Sequence, residues 1–182
     1  MEQATPSSAK IAIKWALIYL LIAIVITYVI EIAKLDLNSP VKYLTYIILL
    51  ALLFLAQKEH KDKLGGYIKF NEAFITGLLY GVFAGVLTGI FVYIYLTFLS
   101  PEIFTQTIEQ QREALVAKGN LSSDQIDQGI DFAKKHGIII GAIGAAIIYT
   151  ILGAVFGLIG AAIFKKERTA YDPEPDTTGP AV

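Results

Sequence analysis

Tyr149 puts a phenol inside a run of alanine, glycine and isoleucine. A phenol surrounded by hydrocarbon must hydrogen-bond to something. Thr88 lies at a similar depth in the preceding apolar block, so a Tyr149–Thr88 contact is expected, with a backbone carbonyl or a neighbouring polar group as the other available partner. Glu72 stands where the third apolar block begins. There it complements the helix dipole, or engages a lysine of the same loop or a cation. Tyr67, Phe70 and Phe74 around it suit a membrane interface. His60 and His136 are the only histidines, and the chain has no cysteine. Disulfides, thiolate nucleophiles and cysteine metal sites are therefore excluded. The charge distribution puts the two histidines on opposite sides of a membrane, so they share no metal within one chain. No phosphate-binding loop, nucleophile elbow or zinc-protease helix occurs. No apolar block carries a charge near its centre, as ion-coupled pumps commonly do. These features point away from an enzyme, and no metal or cofactor is expected.

The strongest spacing is Gly77, Gly81, Gly85 and Gly89, each four residues from the next. Glycine weakens a helix unless close backbone approach is gained. Gly153, Gly157 and Gly160 in the last apolar block, with Ala142 and Ala146, form an answering face. Small faces of this kind are expected to pack the third and fourth membrane helices together inside one chain. Homodimerisation and a narrow groove for lipid or another ligand are the other readings. Gly85→Leu is expected to lower the yield of folded protein extracted from membranes; unchanged stability would argue against the packing.

The elements that must position these residues follow from hydropathy. The 182 residues are 55% hydrophobic and 17% charged, and the apolar ones fall in blocks. Mean hydropathy is +0.59. A helix needs about 20 apolar residues to cross a bilayer. The expected spans are 11–32, 41–56, 74–99 and 138–164. The second is short, so Lys42, Tyr43 and Lys58 are expected at the interface. Between the last two spans, residues 101–136 carry Ile103, Phe104, Ile108 and Leu115, then Ile126, Ile130 and Ala133, at helical spacing. Gly119-Asn120 separates the stripes, and Ser122 with Gln125 reads as a capping box. Two amphipathic helices, forming a hairpin or extending the membrane helices, fit this segment. Asn38-Ser39-Pro40 reads as a turn, and Glu31 can pair with Lys34. The membrane domain is 1–166, and 167–182, with three prolines among acids and threonines, reads as a disordered tail. The fold class is thus all-α, a four-helix transmembrane bundle with an amphipathic external segment between helices 3 and 4.

Lysines set the orientation. Lys10 and Lys14, then Lys58, Lys61, Lys63 and Lys69, then Lys165, Lys166 and Arg168 mark one side more densely than the other. That side belongs in the cytoplasm, with both termini. A formal net charge of −1 offers nucleic acid no general attraction.

The stretch "KEHKDKLGGYIKFNEAF" before "GLLYGVFAGVLTGIFVYIYLTFLSPE", the segment "LSSDQIDQGIDFAKK" and the glycine-rich last helix ending "AAIFKKE" resemble the domain of unknown function 4199 family of bacterial membrane proteins. Gly65 to Phe74 is the most specific part. The resemblance implies a four-helix protein of the bacterial inner membrane and no activity. The expected role is a non-catalytic accessory or assembly subunit of an envelope complex. Its partners would be the lipid bilayer and either a membrane protein or further copies of the chain. A small transporter or channel for lipid or apolar solutes is the alternative.

Overall fold

A computed structural model describes residues 7–33 and 42–167. They form α1 (Ser8–Ile32), α2 (Lys42–Lys63), α3 (Phe70–Ile94), α4 (Pro101–Lys118) and α5 (Ser123–Phe164), and a π-helical turn over Tyr95–Leu99 continues α3. The expected turn at Asn38-Ser39-Pro40, the Glu31–Lys34 pair and the tail beyond residue 167 lie outside the described residues.

Three helices are long and apolar enough to cross a membrane: α1, α3 with its π turn, and α5. Their length and composition suit a membrane protein. The second expected span, α2, is not among the three. Its apolar part ends at Ala56, and the same helix runs on through Gln57, Lys58, Glu59, His60, Lys61, Asp62 and Lys63. By length and composition the count among the described residues is therefore three.

The chain divides into two compact units, Met1–Ala84 with Thr150–Val182, and Gly85–Tyr149. In the first, α1 packs on α2. Ala12, Ala16, Tyr19 and Ala23 are buried, and their spacing places them on one face of α1. Three of the four are alanine, which lets backbones approach. On α2, Leu49, Leu53 and Ala56 are buried. Tyr80 of α3 donates its phenolic proton to the Leu49 carbonyl at 3.0 Å. Gly65 and Gly66 end α2 with φ of 75° and 86°, a conformation that side chains with a Cβ resist. The chain then pairs with the end of α5: Ile68 and Lys166 exchange two backbone hydrogen bonds, both 3.0 Å. Ile68, Ala73 and Ala161 are buried beneath, with Leu64, Phe74 and Phe164 packed around them.

In the second unit Ser100 leaves helical geometry and Pro101 opens α4, where its missing N–H costs nothing. The capping box forms as expected: Gln125 N–H donates to Ser122 Oγ at 3.3 Å, and Ser122 N–H to Gln125 Oε1 at 3.0 Å. Ile108, Ile126 and Ile130 are buried together, with Phe104, Leu115 and Ala133 against them. Arg112 and Asp127 pair across the hairpin at 2.5 Å. The hairpin and the helix extension are therefore both present. The second amphipathic helix does not stop before the last span; α5 is one helix of 42 residues. Its polar stretch Lys134-Lys135-His136-Gly137 contains no proline, and one glycine is tolerated inside a helix.

Candidate functional site

Several buried polar groups of the first unit meet where α2 leaves its apolar part. Gln57 is fully buried. Its Nε2 donates to the Ala73 carbonyl of α3 and the Gly157 carbonyl of α5, each at 2.9 Å. Both neighbours are acceptors, so the nitrogen must be the atom between them. Gln57 Oε1 is buried and has no hydrogen-bond partner. It occupies the space that a Cβ on Gly160 would fill; such a Cβ would overlap Oε1 and stand 2.8 Å from Gln57 Cδ. One turn along α2, His60 Nδ1 lies 2.6 Å from Thr76 Oγ1, and both residues are buried. Thr76 donates its only hydroxyl proton to the Glu72 carbonyl at 2.8 Å. The His60–Thr76 bond therefore runs from Nδ1–H to the threonine oxygen, which assigns the ring tautomer from the network.

Glu59, on the adjoining face, gathers α1 onto α2. Its carboxylate pairs with Lys14, accepts the Trp15 indole N–H at 2.7 Å and pairs with Lys63 at 2.8 Å. Partial burial pushes its pKa up. The hydrogen bonds from Lys14, Lys63 and Trp15 outweigh that and bring it from 4.5 down to about 2. Glu59 lies beyond the apolar part of α2, where acid can reach it. Its pairing supports the fold fully above pH 4.5, and the support is lost as pH falls toward 2. Glu59→Gln is expected to lower the melting temperature at pH 7 and to matter progressively less below pH 4.5. A wild-type-to-variant difference that stays constant from pH 7 to pH 3 would contradict the hub.

At four of the glycines a neighbouring helix leaves no room for a Cβ on its near side. In the first unit, a Cβ on Gly77 would stand 2.7 Å from Gly157 Cα, and one on Gly153 2.6 Å from Gly81 Cα. In the second, a Cβ on Gly85 would meet the Ala146 carbonyl oxygen at 2.7 Å, and one on Gly89 the Ala142 carbonyl oxygen at 2.7 Å. Glu72 stands in the first turn of α3. Its Oε2 accepts the Lys69 N–H at 2.9 Å and caps α3. The Tyr149–Thr88 hydrogen bond is not made. Both residues are buried, but Thr88 Oγ1 has no hydrogen-bond partner. The Tyr149 side chain leaves its helix against Gly85, with Cβ 3.1 Å from that glycine's missing Cβ, about one turn before Thr88.

Sequence reasoning weighed His60 only as a metal ligand and did not single out Gln57 or Thr76. Their signal is positional. Leu49, Leu53, Ala56, Gln57 and His60 share one stripe of α2, so polar residues continue the buried face. Among the described residues no three histidine, aspartate or glutamate side chains are grouped to hold a metal ion. This arrangement joins helices: α2 to α3 and α5 through Gln57, α2 to α3 through His60, and α1 to α2 through Glu59.

The model of the DUF4199 family, proteins of unknown function, matches residues 14–166. The chain belongs to this family. The DUF4199 match opens at Lys14, a partner of Glu59, and closes at Lys166, the partner of Ile68. It therefore takes in every glycine and polar junction described above. No curated protein and no solved structure matches the chain.

Proposed function

We propose that this DUF4199 protein is a non-catalytic accessory or assembly subunit of a complex in the bacterial inner membrane. In this reading α2 crosses with α1, α3 and α5 as a four-helix bundle held by small-residue faces. Both termini are cytoplasmic, and residues 101–136 lie outside. The observation that carries it is the α4–α5 hairpin. One face is closed by Ile108, Ile126 and Ile130, yet Val116, Leu121 and Phe132 remain 59%, 45% and 58% exposed. Apolar side chains left in water beside an already closed core suit a partner protein. The polar groups of the first unit support the same reading, because Gln57, Glu59 and Thr76 are committed to bonds between and within helices.

Affinity purification of the tagged protein from its native membrane, in mild detergent, tests the role. A stoichiometric partner supports it; a homogeneous homo-oligomer or a lipid-bound monomer removes it. Topology is testable because the chain has no cysteine. Leu121→Cys is expected to react with a membrane-impermeant maleimide in spheroplasts, and Lys63→Cys only after lysis. The reverse pattern would invert the orientation.

The alternative, a transporter or channel for lipid or apolar solutes, draws on an apolar groove in the second unit. It measures about 300 Å³, with Val86, Gly89, Ile90, Tyr93, Ala142 and Ala146 among its walls. Liposome flux of a labelled lipid tests that reading.

A further inference from the structure

Outside the helix junctions, one cleft of the first unit carries both signs of charge. It encloses about 360 Å³ between Leu64, Tyr67, Lys69, Glu72, Lys166 and Glu167. The backbone around it is fixed by the Ile68–Lys166 pairing. Lys166 Nζ lies 4.8 Å from the centre of the Tyr67 ring, which holds the ammonium by cation–π attraction. Lys69 is exposed, and its backbone N–H is held by Glu72. Two lysines and two glutamates thus line one small space, and their formal charges cancel. A simple anion would meet Glu72 and Glu167; a simple cation would meet Lys69 and Lys166. A ligand with one charge of each sign satisfies both pairs.

The cleft also sits where apolar helix surface begins. The apolar spans of α3 and α5 start at Phe70 and end at Phe164, beside its walls. Ile75, three residues after Glu72 and on the same face of α3, is 36% exposed; Ile163 of α5 is 65% exposed. A polar, charge-balanced cleft adjoining bare hydrocarbon is the pattern a phospholipid presents in complement. We propose that it binds the headgroup of a zwitterionic phospholipid of the phosphoethanolamine type. The phosphate is met by Lys69 and Lys166, the primary ammonium by Glu72 and Glu167, and the acyl chains lie along Ile75 and Ile163. A choline headgroup fits less well. Its quaternary ammonium donates no hydrogen bond, and a face of Tyr67 that could receive it is taken by Lys166.

The test is native mass spectrometry of the full chain in detergent with equimolar phosphatidylethanolamine, phosphatidylglycerol and phosphatidylcholine of identical acyl chains. Selective retention of phosphatidylethanolamine is expected. Lys69→Gln and Lys166→Gln keep both backbone pairings and are expected to weaken retention roughly fivefold for each lysine removed. Glu167→Gln is expected to shift preference toward phosphatidylglycerol, and it decides the matter should the lysine variants fold poorly. Equal retention of the three lipids, or unaltered selectivity in the Glu167→Gln protein, overturns the proposal. Water-soluble glycerophosphoethanolamine is expected to displace the lipid only weakly; displacement at matching concentration would overturn the lipid assignment in favour of a soluble zwitterion. None of these outcomes depends on whether a protein partner is found.

Discussion

Gly153→Ala is expected to be among the most damaging single-methyl changes in this protein. The new Cβ would stand 2.6 Å from Gly81 Cα, 3.0 Å from the Gly77 carbonyl oxygen and 3.1 Å from Gly81 N. All three neighbours are backbone, so no side chain can rotate away. α3 and α5 would have to separate in the first unit, and every contact along that crossing would lengthen. Overpacking of a well-filled site costs about 1–3 kcal/mol, sometimes more. An interhelical hydrogen bond within a membrane averages only about 0.6 kcal/mol. Steric fit at the glycines therefore outweighs any one polar bond here. Melting in detergent by circular dichroism reads the effect. Gly141→Ala is the control, because a Cβ at Gly141 meets nothing within 4 Å. Equal melting temperatures for the two variants would remove the argument.

Gly160→Ala is expected to cost a similar amount, but for a reason a second mutation can relieve. The obstacle at Gly160 is chiefly the Gln57 amide, with Phe54 Cδ1 at 3.0 Å. In Gln57→Ala the amide is gone and its space is open. The double variant Gln57→Ala/Gly160→Ala should then be more stable than the sum of the single changes predicts. Residues in direct contact typically show couplings of about 0.5–3 kcal/mol. The Ala73 and Gly157 carbonyls that lose the Nε2 donor lie in helices, where backbone N–H groups still serve them, so Gln57→Ala alone should be the mildest of the three. Strict additivity in the melting data would show that Gln57 and Gly160 do not share space.

Particular residues show what was legible in the sequence. Gly77 and Gly153 stood out because small residues at spacings of four recur on one helical face, and a Cβ at either would stand under 3 Å from the backbone of the other helix. Ser122 with Gln125 announced a helix start through the cap they favour. The hairpin stripe was readable for the same reason, as Ile108, Ile126 and Ile130 are its buried centre. Gln57 and His60 were not, because a glutamine and a histidine among lysines and acids read as a solvated helix end. Only the neighbouring helices turn that end into an interior. The Tyr149–Thr88 expectation failed on depth: Tyr149 leaves its helix against Gly85, about one turn before Thr88, an offset finer than the matching of apolar blocks resolves. The unbroken α5 was only one of two readings of its segment, because Lys134-Lys135-His136 marks a change of surroundings and not of backbone.

The Gln57 amide has a consequence for how the molecule is assembled. Its two acceptors come from residues 16 and 100 positions further along the chain. When α2 leaves the ribosome, neither exists. Until α3 is made, both amide protons need water or lipid headgroups, and until α5 arrives one of them still does. An amide kept in the hydrated zone holds that end of α2 out of hydrocarbon during synthesis. Completion of the first unit then waits on the last helix: α2 reaches its final seat only as Gly157 and Gly160 close over Gln57. A chain truncated before α5 is accordingly an unfinished protein with a waiting polar group, a form that membrane quality control can recognise.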